Sequence, residues 1–400
     1  MKSNTISNIL IVTSEAFPYG MAGTARITSL SKGFISNGIH TQILSMYKYD
    51  EIDDTVENPV EGEYEGIRFK NIFCTARKSP YKIKRIFDEY FKFILIFVIC
   101  LRIVKKRTLI FYYSWEFLPA ISLKIVSRIK HTRLIKEETE HPSVRVSGKS
   151  FITRYLFLRF HYNVFDSLFV ITQNLANYFK DERGYKKPIY ILPMIVDVDL
   201  FQKENVSKNN NIVFSGVLDD QKEGVDLIIK GFSMVVAKYP DFCLQLYGKA
   251  HSEIQIKKYL NLINELNLNG KVNLYGYRTH NDMIKILHEA RILIFARPAS
   301  IQANYGFSTK LGEYLATGNP VIATETGETG KFLIDGFNIF FCKPNENSIA
   351  EKIFEIINNY EYALNVGAKG KICVFDNFNN KNETRKAINY LEQMNLNSYN

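Results

Sequence analysis

Short apolar runs recur along the chain, each bounded by polar or glycine-bearing loops and followed by a stretch of helical period. Asn8–Thr13 (NILIVT) reads as a buried strand, Ser14–Thr24 as a loop, and Ala25–Asn37 as a helix that turns Ile27, Leu30 and Phe34 to one face. Thr41–Ser45, Thr108–Tyr113, Arg133–Lys136, Ser167–Thr172 and Pro188–Leu192 repeat the strand pattern, with Tyr64–Phe73 a further candidate. Helices are expected over Glu116–Arg128, Ser150–His161 and Gln173–Asp181. After a polar spacer, Lys203–Asn210, a second series begins. Its strands are Asn211–Ser215, Phe242–Tyr247, Val272–Tyr275, Ile292–Ala296, Val321–Ala323 and Phe337–Phe341. Between and after them, helices are expected over Val225–Ala237, Ile254–Leu266, Met283–Glu289, Thr309–Ala316, Ser348–Asn358 and Asn377–Met394. Strands alternating with helices in this way predict an α/β chain of Rossmann-like units with parallel sheets.

A chain of 400 residues with 46% hydrophobic content is long enough for two such domains. Its five cysteines are odd in number and lack paired or metal-like spacing, which favours a reducing, cytoplasmic setting over a disulfide framework. Ile9–Val12 is too short for the apolar core of a signal peptide. The net charge of +10 is unevenly placed: Arg77 to Arg107 holds ten Lys and Arg against Asp88 and Glu89. The same segment carries the longest apolar run, Phe93 to Leu101, well short of the about 20 residues a bilayer span needs. Two readings stand. Residues 77–107 form either an amphipathic helix lying on an anionic membrane surface, peripheral to its inner face, or a buried helix with solvated basic ends. No nucleic-acid recognition module is present, so nucleic acid is not an expected partner.

The chemistry concentrates in Gly306–Thr324, GFSTKLGEYLATGNPVIAT. A loop over Gly306–Ser308 leads into a helix that Gly318 and Pro320 stop before the next strand. The start of such a helix, with Ser308, Thr309 and Lys310, suits a phosphate, and Glu313 one turn on can accept hydrogen bonds from a ribose diol. Arg297 ends the preceding strand and supplies a guanidinium on the same side, making Arg297 and Lys310 the candidate diphosphate pair. In the first half, the strand ending at Lys136 runs into Glu137-Glu138-Thr139-Glu140-His141, where open α/β sheets bind ligands. Glu138, Glu140 and His141 are candidate ligand contacts there. Asp197 and Asp199 have D-x-D spacing but fall in the linker between the two halves, a poor place for a metal site.

Gly306–Thr324 resembles the nucleotide-sugar site of retaining glycosyltransferases with the GT-B fold, family 4 (glycosyl transferases group 1). Those enzymes carry two glutamates, the second followed by A-x-G-x-P-V, which Glu313 and Ala316–Val321 match. The first would stand at position 305, where this chain has Tyr305, as in a subgroup with G-F-S/P-T-K-L-G-E-Y-L. The resemblance implies an α/β GT-B fold, two Rossmann-like β/α/β domains facing each other across a cleft. It places an acceptor-binding domain at 1–195, a nucleotide-sugar-binding domain at 196–372, and a helix at 373–400 crossing back to the first domain. It further implies that Gly20 and Gly23, with Arg26 following, meet donor phosphates and acceptor, and that Gly216 and Lys222 approach the diphosphate. Tyr277 would frame the base, and Gly327 and Glu328 would face the donor. Val217 and Glu223 depart from the arginine and lysine usual there.

The activity implied is metal-independent, cofactor-free transfer of a hexose, with retention, from a nucleoside-diphosphate sugar. The acceptor would be a glycan or lipid-linked molecule in surface polysaccharide synthesis, with Arg297, Lys310, Glu138 and His141 as the candidate catalytic groups. The alternative is a catalytically silent GT-B partner subunit, motivated by Tyr305, Val217 and Glu223. An oxidoreductase or epimerase is disfavoured, because no G-x-G-x-x-G follows the first strand.

Overall fold

The computed structural model describes residues 6–48, 60–75, 77–145, 151–202 and 206–396; the start of the polar spacer at Lys203 lies outside them. The chain divides into one compact unit of Met1–Ile195 with Asn380–Asn400 and a second of Val196–Asn379.

In the first unit, β1 (Asn8–Thr13), β2 (His40–Ser45), β3 (Glu61–Tyr64), β4 (Ile67–Asn71), β5 (Thr108–Tyr113), β6 (Leu134–Glu138), β7 (Ser167–Val170) and β8 (Ile189–Ile191) form one sheet. Its order is β3-β4-β2-β1-β5-β6-β7-β8, parallel except for the β3–β4 hairpin. The strands β1, β5 and β7 in the interior of this sheet are near-continuous apolar runs, as befits strands of a parallel sheet covered on both faces. Ile11, Ile27, Leu30, Phe34, Phe111 and Phe169 belong to one core, where each large side chain contributes about 1.5–3 kcal/mol by leaving water. The terminal helix Asn380–Leu396 belongs to this unit and packs on the helix Ala22–Ser36. Asn380 Nδ2 donates to the Ser29 carbonyl at 3.0 Å, across a contact that Gly33 keeps close.

The second unit holds β9 (Asn211–Ser215), β10 (Cys243–Tyr247), β11 (Val272–Gly276), β12 (Ile292–Phe295), β13 (Val321–Thr324) and β14 (Phe340–Cys342). They pair in the order β11-β10-β9-β12-β13-β14, with parallel neighbours throughout. Each sheet therefore has one place where the strand order reverses: beyond the C-terminal ends of β1 and β5, and of β9 and β12. Crevices at such switch points are where open α/β sheets take ligands.

Several elements differ from the expectation. β14 starts at Phe340 rather than Phe337, because Gly336 (φ +69°) and the Asn338 side chain, accepting from Ile334 N at 2.8 Å, turn the chain first. The helix expected from Met283 begins at His280, capped by Thr279, whose hydroxyl accepts from Asp282 N at 3.3 Å. The tail is two helices, Tyr360–Asn377 and Asn380–Leu396, broken where Phe378 tucks its ring against Phe307 and Phe332. The basic segment forms a 22-residue helix, Lys82–Ile103, of which only Lys92, Ile96 and Cys100 are buried.

Candidate functional site

At the switch point of the second unit, Gly216 follows β9 with φ +154°, and a Cβ there would collide with Lys310 Nζ. Glycine thus lets the lysine lie over the backbone. Gly224 (φ +65°) ends the short helix Asp220–Glu223 so close to β12 that a Cβ would strike the Ala296 carbonyl. That approach carries Glu223 to the end of β12, beside Arg297. The Glu223 side chain is 2% exposed, with Oε2 2.8 Å from Lys310 Nζ and Oε1 3.5 Å from an Arg297 nitrogen. Phe214 and Phe295 floor the group, their ring centroids 4.9 and 5.2 Å from Lys310 Nζ. Tyr314 locks the helix Thr309–Ala316 onto β9: its hydroxyl accepts from Ser215 N at 2.6 Å and lies 3.3 Å from Ser215 O.

The electrostatics follow from that packing. Burial alone would raise the Glu223 carboxyl, but Lys310 and Arg297 outweigh it and hold the group below the usual carboxylate range. Burial, opposed by Glu223, pulls the Lys310 ammonium down from its usual range. Two cations thus converge at a switch point on one internal carboxylate. Glu313 sits one turn beyond Lys310; burial pushes its carboxyl up, against the opposing charges of His280 and Lys310.

Structure brings Gly216, Arg297 and Lys310 together, with Glu223 as the residue sequence reasoning missed. Glu223 stands where the family resemblance expects a lysine, and nothing in the local sequence signals a counter-ion to Lys310 and Arg297. Lys222 is half-buried next to it, its backbone N donating to the capping Asp219 carboxylate at 2.6 Å. Ser308 occupies the cap position before Thr309 and makes no side-chain capping bond. Tyr277 stands apart in the loop after β11, 45% exposed, with Lys249 Nζ 5.6 Å from its ring centroid. Gly327 lies against the Ala303 carbonyl, and Glu328 is buried with Lys331 at 2.8 Å. Tyr305 ends the short helix Ile301–Tyr305, and Val217 is half-buried directly after Gly216. Among the described residues, no group of three or more His, Cys, Asp or Glu is placed to hold a metal ion.

The first unit has its own recess at the corresponding switch point, lined by Ser14 and Glu15 after β1, Tyr113–Trp115 at the end of β5, and Lys136–Thr139 at the end of β6. Glu138 is buried here and accepts from the Tyr162 hydroxyl at 2.9 Å, with Lys136 Nζ 3.3 Å away. Glu137 points to the opposite face of the strand, where Oε1 accepts from Arg26 Nε at 2.7 Å while Oε2 is buried without a hydrogen-bond partner. Arg26 is spent on structure: its other nitrogens donate to the Leu192 and Pro193 carbonyls, both at 3.1 Å. Gly23 gives room to the Glu15 side chain, and Gly20 to Thr24, whose hydroxyl donates to the Ala16 carbonyl at 2.5 Å. His141 is buried against Tyr178, ring centroids 4.2 Å apart, with Nδ1 2.6 Å from the Ser143 hydroxyl. Glu140, half-buried, directly precedes His141.

Residues 197–372, less than half of the chain, match the family described as Glycosyl transferases group 1. An uncharacterized glycosyltransferase, MJ1178 of Methanocaldococcus jannaschii, is 31% identical over 160 residues, 40% of this chain and 41% of that protein. Among solved structures, the sucrose-phosphate synthase of Thermosynechococcus elongatus superposes with a TM-score of 0.75 at 17% identity, covering 97% of this chain and 98% of that one. HepE of Anabaena, in complex with UDP, gives 0.68 at 15% identity, over 96% and 100%. The chain thus has the α/β GT-B fold of two parallel-sheet, Rossmann-like domains, and its second unit carries a glycosyl transferases group 1 domain.

Proposed function

We propose that the protein is a retaining glycosyltransferase that takes a hexose from a nucleoside-diphosphate sugar. The observation that carries the reading is the convergence of Arg297 and Lys310 beside Gly216 at the β9–β12 switch point, on a unit matching glycosyl transferases group 1. Arg297 and Lys310 hold the diphosphate and stabilise the charge it gains as the glycosidic bond breaks, a task that otherwise falls to a metal ion. Glu313 takes the ribose hydroxyls, and Tyr277 frames the base. Carbonyl and amide groups at Gly216, Ser308, Thr309 and Gly327 complete the donor site, with Lys222 and Glu328 at its rim. The acceptor hydroxyl, from a glycan or lipid-linked molecule, is taken by the first unit at Gly20, Gly23, Glu138 and His141. It attacks from the side of the leaving group through an oxocarbenium-like state, and the departing phosphate removes its proton. No metal is needed, and synthesis of a surface polysaccharide is the setting proposed.

Glu223 favours a second reading, a catalytically silent GT-B subunit, because its carboxylate already sits against both cations and offsets one of their two charges. One experiment separates them. UDP, GDP, ADP and CDP are tested by thermal shift on the wild type and on Glu313→Ala, followed by a donor-hydrolysis assay. A nucleotide at 100 times its dissociation constant adds about 2.7 kcal/mol, lost in the variant under the enzymatic reading. No shift at about 1 mM, a concentration that saturates a micromolar site, together with no hydrolysis, rejects it.

A further inference from the structure

The helix Lys82–Ile103 presents an apolar stripe to solvent, and it does so without depending on the donor reading. Ile83, Phe87, Tyr90, Phe91, Ile94 and Val98 recur at the i, i+3/i+4 spacing of one helical face. All six are exposed, Ile83 to 82%, Tyr90 to 66% and Phe87 to 58%. The buried set Lys92, Ile96 and Cys100 lies on the opposite face, so the stripe is not the core-facing side of the helix. The rings of Phe87 and Phe91 stack on each other at 4.0 Å, out in solvent. The helix Phe117–Ile129, which packs against it, also exposes Ile125 and Ile129, to 46% and 53%.

Charge decides what covers it. Lys82, Lys84 and Arg85 are exposed at one end of the stripe, and Arg102, Lys105, Lys106 and Arg107 at the other. The two acids of the helix are already paired, Asp88 with Lys48 at 2.5 Å and Glu89 with Lys92 at 2.6 Å. The face is therefore apolar along its middle and cationic at both ends. A second copy of this chain would set cations against cations, on a protein of net charge +10. At 22 residues the helix is long enough to lie flat, yet no described helix is long and apolar enough to cross a membrane.

We propose that this face docks on an anionic lipid surface, with the helix parallel to the bilayer plane and its stripe sunk among the head groups. The test is co-sedimentation of the full chain with vesicles of phosphatidylcholine alone or with about one-third phosphatidylglycerol, an anionic fraction that supports attraction of basic segments. Sedimentation velocity without lipid runs alongside. Binding is expected to the anionic vesicles, weak for phosphatidylcholine and reduced by salt. Lys82→Glu/Lys84→Glu/Arg85→Glu should weaken it about a hundredfold or more, from about fivefold for each basic residue removed. Ile83→Ser/Phe87→Ser/Phe91→Ser should weaken it as well, and both variants should keep the wild-type melting temperature because the substituted side chains are exposed. The proposal is overturned if the wild type ignores anionic vesicles, or if folded variants bind as well as wild type. It is equally overturned if the stripe instead drives lipid-free self-association that the serine variant abolishes.

Discussion

Replacing Glu223 by glutamine would remove one charge from a group of three. The carboxylate lies 2.8 Å from Lys310 Nζ and 3.5 Å from Arg297. At an effective dielectric near 20 these separations correspond to gross attractions of about 6 and 5 kcal/mol, much of it already offset by desolvation. Breaking a buried pair from one side costs about 3–5 kcal/mol, because the remaining cations are left facing each other. Melting of the second unit should fall by about 6–20 °C without nucleotide. A diphosphate arriving at the same cations meets no carboxylate in the variant, so its binding should tighten by about tenfold or more. Removing a like charge about 6 Å away is worth about 2–3 kcal/mol, more than the about 1.4 kcal/mol that tenfold requires. The pH dependence has a definite sign. Because the folded carboxyl titrates below its ordinary value, its contribution is fully present above about pH 4.5 and is lost as pH falls through the folded value. Glu223→Gln should flatten that acid limb. Urea unfolding from about pH 6 to about pH 3 brackets the carboxylate range; nucleotide titration of both proteins measures the rest. A variant that loses stability yet binds nucleotide no tighter, or more weakly, would refute the idea that Glu223 holds the place of a diphosphate.

Glu313→Gln should behave oppositely in the unliganded protein: the folded carboxyl is raised by burial, so ionisation costs stability as pH rises above the ordinary carboxylate range. Unfolding at neutral pH should show a slightly more stable variant with weakened nucleotide-induced stabilisation. Arg297→Ala should lower kcat/KM by about 10²–10³-fold in a donor-hydrolysis or transfer assay, the effect of losing one donor to the developing charge. In the first unit, Arg26→Met should cost about 3–5 kcal/mol in urea unfolding, since it strands Glu137 and frees the Leu192 and Pro193 carbonyls. Nucleotide binding, housed in the other unit, should survive that change.

What the sequence determined by itself was the alternation. NILIVT, TLIFYY, NIVFS and RILIFA could only be strands buried on both faces, and their interleaved helical periods dictated parallel sheets. The helix Thr309–Ala316 and its Gly318–Pro320 stop were legible for the same reason, because helical period and helix stops act within a few residues. Tertiary structure decided the rest. Whether Ile83 and Phe87 faced core or solvent turned on where the neighbouring helix lay. The role of Arg26 depended on Glu137, more than a hundred positions away, and on two carbonyls further still. Glu223 became a counter-ion only when Gly224 let its helix abut the end of β12. Local propensity and periodicity fix which face of a segment is apolar. What partners a buried charge depends on strand order, and that emerges only when the sheets assemble.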